Sequence, residues 1–190
     1  MNQEKKFPDW AKIQETFRIP QASHPERLYA LKHISDSDKV IYDLGCSTFK
    51  AMDRAIGVDI EAKTGVDLVA SIDDMPMIKS GSVDVIITKH SLEHVPDTIK
   101  TLTEWQRILK YGAKIVIVLP DFEYIDTMNP ILSSGVHLHV FTREILRNLL
   151  TKFPGLEVEK FETVIPDWSF GGVIKKKPFF RFWLDTLMGI

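Results

Sequence analysis

The nine residues Lys39-Val40-Ile41-Tyr42-Asp43-Leu44-Gly45-Cys46-Ser47 constrain this chain more than any other stretch. A mostly apolar, β-favouring run meets an acidic residue, then a glycine and small polar residues. That is the pattern of a buried strand feeding a tight turn. A second such run, Ala55-Ile56-Gly57-Val58-Asp59-Ile60, follows at once and also ends on a carboxylate. Only about nine residues link Gly45 to it, fewer than the ~10–12 a βαβ crossover takes, so any helix between them is short or nearly absent. Two neighbouring parallel strands that bring Gly45 and Asp59 to one sheet edge make a pocket suited to a nucleoside.

The rest of the chain alternates strands with helices, which argues for an open α/β sheet. A third strand is expected at Val66-Asp67-Leu68-Val69-Ala70, and a fourth, almost continuously apolar, at Val83-Asp84-Val85-Ile86-Ile87-Thr88. A helix from about Asp97 to Lys110 would bury Ile99, Leu102, Trp105, Ile108 and Leu109, with Asp97 at its start and Gly112 as its left-handed stop. A fifth strand, Lys114 to Leu119, closes on Pro120-Asp121. Thr142 can cap a helix through about Lys152 that buries Ile145, Leu146, Leu149 and Leu150. Two last strands, Leu156 to Thr163 and Ser169 to Lys175, are joined by a short link and so should pair antiparallel.

A chain of 190 residues fits one domain with appendages. Residues 1–36 read as a helical appendage: Trp10, Ile13 and Phe17 share a face, Pro20 stops that helix, and Pro25 opens a second. It either packs on the sheet or forms a lid over the site. The body spans 37–176. The tail, 177–190, sets Phe179, Phe180, Trp183, Leu184 and Leu187 beside Lys175, Lys176, Lys177 and Arg181. Such a stripe docks on the body or on a second subunit, as in a homodimer, or lies on an anionic membrane surface.

A net charge of −2 supplies no basic field for nucleic acid. Cys46 is the one cysteine, so no internal disulfide can form, which suits a reducing compartment. The first residues lack the apolar core of a signal peptide, and no apolar run reaches the ~18 residues of a membrane span. A cytoplasmic protein is expected.

A diphosphate needs close backbone approach, hence G-x-G-x-x-G, but Gly45-Cys46-Ser47-Thr48-Phe49-Lys50 keeps only the first glycine. Side chains at 47 and 49 would crowd two phosphates, and no P-loop is present. A nicotinamide oxidoreductase is therefore disfavoured. S-adenosylmethionine has no phosphate. One glycine lets the chain pass over it, and Asp59 can accept from both ribose hydroxyls.

Asp43-Leu44-Gly45-Cys46 followed by Gly57-Val58-Asp59-Ile60 resembles class I S-adenosylmethionine-dependent methyltransferases. Ser82-Val83-Asp84-Val85-Ile86-Ile87, His90-Ser91-Leu92-Glu93-His94-Val95 and the run Trp105 to Lys114 resemble the small type-11-like group. Leu119-Pro120-Asp121 and His139-Val140-Phe141-Thr142 also fit, so the resemblance covers about residues 38–152 in order. It implies a Rossmann-like, mostly parallel seven-stranded sheet with an antiparallel last strand and helices on both faces. It further implies methyl transfer to a small-molecule acceptor. By that resemblance the turn Gly45, Cys46 and Ser47 would cover the methionine part and Asp59 would hold the ribose, with Asp43 and Ile60 also in the cofactor-binding set. Ser71 and Ile72 would meet the adenine, and the backbone near Thr88 to His90, with Lys89 between, would flank the methionine amino group. Ser47 and Phe49 stand where the family prefers glycine, Ser71 where many members have aspartate, and Tyr111 and Ala113 where proline and glycine are usual. These departures leave open a non-catalytic binding or regulatory protein with a degenerate cofactor site.

His90-Ser91-Leu92-Glu93-His94 also spells the H-x-x-E-H of zinc proteases. That chemistry needs both histidines on one face of a sustained helix, whereas this segment leaves a strand and meets Pro96. No metal is expected. His90, Glu93, His94, His137 and His139, with Asp121, are candidates to take a proton from an acceptor hydroxyl. Cys46 reads as a small buried residue under the cofactor rather than a nucleophile. Residues 1–36, 121–140 and 165–190, which would meet the acceptor, carry no motif that identifies it.

Overall fold

The computed structural model describes residues 9–128, 137–179 and 188. Seven strands form one sheet in the order β3-β2-β1-β4-β5-β7-β6. They are β1 Ile41–Leu44, β2 Ile56–Asp59, β3 Leu68–Val69, β4 Val83–Lys89, β5 Leu109–Pro120, β6 Leu156–Ile165 and β7 Ser169–Lys176. The pairs among β1 to β5 are parallel, and β7 runs antiparallel to both β5 and β6. The expected architecture is therefore present, including the antiparallel final pair and the helix-free link between β1 and β2.

Alternation along the central strands sorts side chains to two faces. Ile86, Ile115 and Ile117 join a cluster with helices α3 (Thr98–Ile108) and α4 (Arg143–Leu150), where Leu102, Trp105, Ile108 and Leu146 are fully buried. Val85, Ile87, Val116 and Val118 face the other way, onto Tyr29 and Ala30 of α2 (Pro25–Lys32). Helix α1 (Trp10–Phe17) buries Ile13. The Trp105 indole donates to the Ile72 carbonyl at 2.9 Å, so α3 also fixes the loop after β3.

Several boundaries differ from those the sequence suggests, for local reasons. Strand β3 keeps only two residues; just before it the Asp67 side chain accepts from the Gly57 N–H and from Lys50, both at 2.8 Å. Asp97 does start α3, accepting from the N–H groups of Ile99 (2.8 Å) and Lys100 (3.0 Å). The helix nevertheless ends at Ile108 rather than Lys110. Lys176 donates to the carbonyls of Gln106 (2.7 Å) and Leu109 (2.8 Å), and Leu109 is already extended and paired with Val83. Gly112, at φ 80°, bends the early part of β5 instead of stopping the helix. Ile99 and Ile145, expected inside, are each 41% exposed. Thr142 caps α4 by accepting from the Ile145 N–H, but that helix stops at Leu150. Phe180, Trp183, Leu184 and Leu187 lie outside the described residues, while the Phe179 ring meets Tyr111 edge-on at 5.3 Å. Among the described residues no helix is long and apolar enough to cross a membrane.

Candidate functional site

Strands β1, β2 and β4 end together, and a cleft of about 1260 Å³ opens there. That volume exceeds the roughly 300–1,000 Å³ of an ordinary small-molecule pocket, so it can take two ligands. One wall is the turn after β1. The N–H groups of Gly45 (2.8 Å) and Cys46 (3.2 Å) both donate to the Val58 carbonyl, tying the turn to β2. Gly45 sits at φ 73°, and a Cβ there would strike the Ser91 hydroxyl. Ser47 holds φ 50° without being glycine. Its N–H donates to Asp59 at 2.9 Å, and the other Asp59 oxygen accepts from the Glu61 N–H at 3.2 Å.

Beneath the turn, Asp43 is fully buried. One oxygen accepts from the Ala51 N–H at 2.6 Å and the other has no partner. Burial pushes this carboxyl up from its usual range. Burial, followed by the nearby Asp43 and Asp59 charges, also pushes the Cys46 thiol up to about 11, which leaves it inert as a nucleophile near neutrality.

The opposite wall starts at the end of β4. His90, at φ 51°, donates from Nε2 to Glu26 at 2.9 Å. Burial disfavours both charges, but each outweighs it for the other: Glu26 is held at about 2 and His90, with help from Glu93, is lifted to about 10. Phe17 and Trp168 meet edge-on at 4.8 Å and, with Trp10 and Phe49, give the cleft aromatic surface. His94 and His137 stack with ring centroids 4.6 Å apart and also line it. Burial and then the neighbouring His94 lower His137, so it is neutral at pH 7.

Comparison with known proteins bears on this geometry. Residues 43–117 match the family described as "Methyltransferase domain", a span that holds the Gly45 turn, Asp59 and the His90–His94 segment. Over that span the chain is similar to methyltransferase domains. Solved structures share its fold at low identity. A chain of the complex between the Haloferax volcanii Trm112 methyltransferase activator and a methyltransferase aligns with TM-score 0.65 and 16% identity, over 93% of this chain and 100% of that one. An Aquifex aeolicus S-adenosylmethionine-dependent methyltransferase gives 0.61 and 18%, over 90% and 100%. The Burkholderia thailandensis 1,6-didemethyltoxoflavin-N1-methyltransferase, crystallised with 1,6-didemethyltoxoflavin and S-adenosylhomocysteine, gives 0.63 and 13%, over 89% and 83%. No curated protein matches the sequence.

The sheet edge brings Gly45, Cys46, Ser47, Lys89, His90, His94 and His137 to one cleft, with Asp43 beneath it. Asp59 does not itself line the cleft; it braces the lining turn by accepting from the Ser47 N–H. Ile60, Ser71 and Ile72 do not line the cleft. Ile60 is 71% exposed, the Ser71 hydroxyl donates to Asp73 at 2.5 Å, and the Ile72 carbonyl holds Trp105. Two base candidates are withdrawn by their surroundings. His139 is engaged by the Val95 carbonyl at 2.8 Å, and the buried Asp121 lies 3.1 Å from Arg143. Glu26, Trp10, Phe17 and Trp168 were not legible as site residues. The only sequence signal was an acidic residue in the first turn of α2, and its partner lies 64 positions away.

Proposed function

We propose that this protein transfers the methyl group of S-adenosylmethionine to a small-molecule acceptor held in the cleft. The observation that carries the proposal is the Ser47–Asp59 contact. It pins a left-handed, glycine-led turn at the sheet edge and leaves both carboxylate oxygens with lone pairs free to accept from a ribose diol. The cradle fits the group, since the glycine at position 45, whose Cβ would strike Ser91, lets the turn close over it, and the buried Asp43 oxygen beneath lacks a partner.

When bound, the cofactor supplies an electrophilic methyl on its sulfonium. Gly45, Cys46 and Ser47 would cover its methionine part, Asp59 its ribose with Ile60 beside it, and the backbone at Lys89 and His90 would flank its amino group. Ser71 and Ile72 would border the adenine through the backbone, because the Ser71 hydroxyl is engaged by Asp73. The aromatic wall of Trp10 and Phe17 from α1, Phe49 and Trp168 would then exclude water and align the acceptor, with α1 and α2 acting as an outer lid. His90 is a poor base, since Glu26 keeps it protonated. The face left to meet an acceptor oxygen or nitrogen is the one carrying Glu93, His94 and His137. Small-molecule acceptors are supported by the fold shared with the toxoflavin-precursor enzyme.

A binding or regulatory protein is the second reading, favoured by the left-handed, non-glycine Ser47. Incubation with methyl-labelled S-adenosylmethionine and pooled small-molecule acceptors separates the two. Label transfer with S-adenosylhomocysteine release supports the enzyme, and tight cofactor binding without release in any pool supports the binder.

A further inference from the structure

Glu93 lies in a single 3-10 turn, Leu92–His94, and its side chain is 2% exposed. Neither of its oxygens accepts a hydrogen bond. A buried carboxylate in that state needs a compensating cation. His90 supplies part of it: its Nε2 N–H goes to Glu26, while its Nδ1 stands 3.4 Å from one Glu93 oxygen outside hydrogen-bond geometry, which leaves both oxygens with lone pairs to offer a metal ion. On the other side, His137 Nε2 is 3.9 Å from the same Glu93 oxygen, and the His94 ring stacks on His137. One ligand atom from each of Glu93, His94 and His137 falls within 4.8 Å of the others.

The backbone fixes this meeting. The N–H groups of Leu138 (2.8 Å) and His139 (3.1 Å) both donate to the Glu93 carbonyl, and His139 is anchored on Val95. The segment after β4 and the segment carrying His137 are therefore joined at the level of the three side chains. Bonds of ~2.0–2.2 Å to a tetrahedral ion place ligand atoms roughly 3.4 Å apart, close to the His137–Glu93 separation.

We propose that Glu93, His94 and His137 form a binding site for a divalent transition metal of the zinc class, set in the wall of the cleft. Two imidazoles and one carboxylate suit such an ion, whereas magnesium and calcium prefer oxygen donors throughout. The H-x-x-E-H pattern thus contributes its last two residues, and the third ligand comes from a distant loop in place of His90. Three protein ligands leave a fourth position, and His94 and His137 turn that position toward the cleft. The site stands on side-chain geometry alone; its use, holding an acceptor oxygen, rests on the methyl-transfer reading.

Untagged full-length protein, stripped with chelator, tests the proposal by zinc calorimetry and by the visible absorption of added cobalt(II). The expected result is one zinc per chain, four-coordinate cobalt bands, and zinc affinity at least tenfold weaker in both His94→Ala and His137→Ala. Glu93→Gln alters a buried group, so the exposed His94 carries the decision if that variant folds poorly. Equal zinc affinity in wild type and His94→Ala, or no binding by wild type, overturns the site. S-adenosylhomocysteine titrated into the same samples keeps the readings apart. Wild type that binds it but not zinc overturns the metal site alone. Wild type that binds zinc but not S-adenosylhomocysteine upholds the site and removes the methyl-transfer reading.

Discussion

His90 Nε2 lies 2.9 Å from Oε1 of Glu26, 64 positions earlier in the chain. This contact ties helix α2 to the end of β4 and so sets one wall of the cleft. Removing one member of a buried ion pair costs about 3–5 kcal/mol, and less when a partner is part-exposed, as His90 is. Glu26→Gln should therefore lower stability by roughly 1–3 kcal/mol, read from urea unfolding, and a double-mutant cycle with His90→Gln should show coupling.

Ser47 occupies the left-handed region without being glycine. That conformation costs a residue with a Cβ roughly 1–2 kcal/mol, partly offset by the greater unfolded freedom of glycine. Ser47→Gly should stabilise the protein by about 0.5–1 kcal/mol in urea unfolding. A destabilised variant would mean that the turn depends on the serine side chain.

A Cβ at Gly171 of β7 would run into the Tyr29 ring of α2. Overpacking of this kind costs about 1–3 kcal/mol. Gly171→Ala should shift the urea midpoint by that amount and increase proteolysis within residues 10–32, which β7 helps to hold.

Asp84 supplies an acid-sensitive tie. It accepts from the N–H groups of Lys39 (3.0 Å) and Val40 (2.8 Å) and from Lys110 (2.6 Å). Burial works against its charge, but Lys110 and the two N–H groups prevail and hold the carboxyl below its usual range. A group depressed in the folded state stabilises above its unfolded pKa, and that contribution is lost as pH falls through the folded value. The wild-type urea midpoint should thus fall between about pH 5 and pH 2, with a shallower fall in Asp84→Asn.

Much of the fold could be read from hydrophobic pattern, because a central parallel strand buried on both faces, such as Val83–Lys89, has few alternatives. The Gly45 turn and Asp59 were legible for the same reason, since two short strands with no room for a helix fix where their ends lie. The end of α3 was not, because it depends on Lys176, some 67 positions downstream, reaching its last carbonyls. The outer wall of the cleft and the meeting of Glu93 with His137 were hidden too. Glu26, Trp168 and His137 gain their partners only through tertiary packing, and a local spacing carries no trace of that. The exposed Ile99 and Ile145 show the converse: a helical period marks a face but not how far that face is covered.

The central claim is that Asp59, braced against the Ser47 N–H, grips the ribose of an adenosyl cofactor, and calorimetry with S-adenosylhomocysteine on wild type and Asp59→Ala tests it most directly. Loss of one or two charge-assisted hydrogen bonds should weaken binding by about 1.5–3 kcal/mol, a factor of roughly 10 to 150. An Asp59→Ala protein that folds and binds S-adenosylhomocysteine as tightly as wild type would contradict the account.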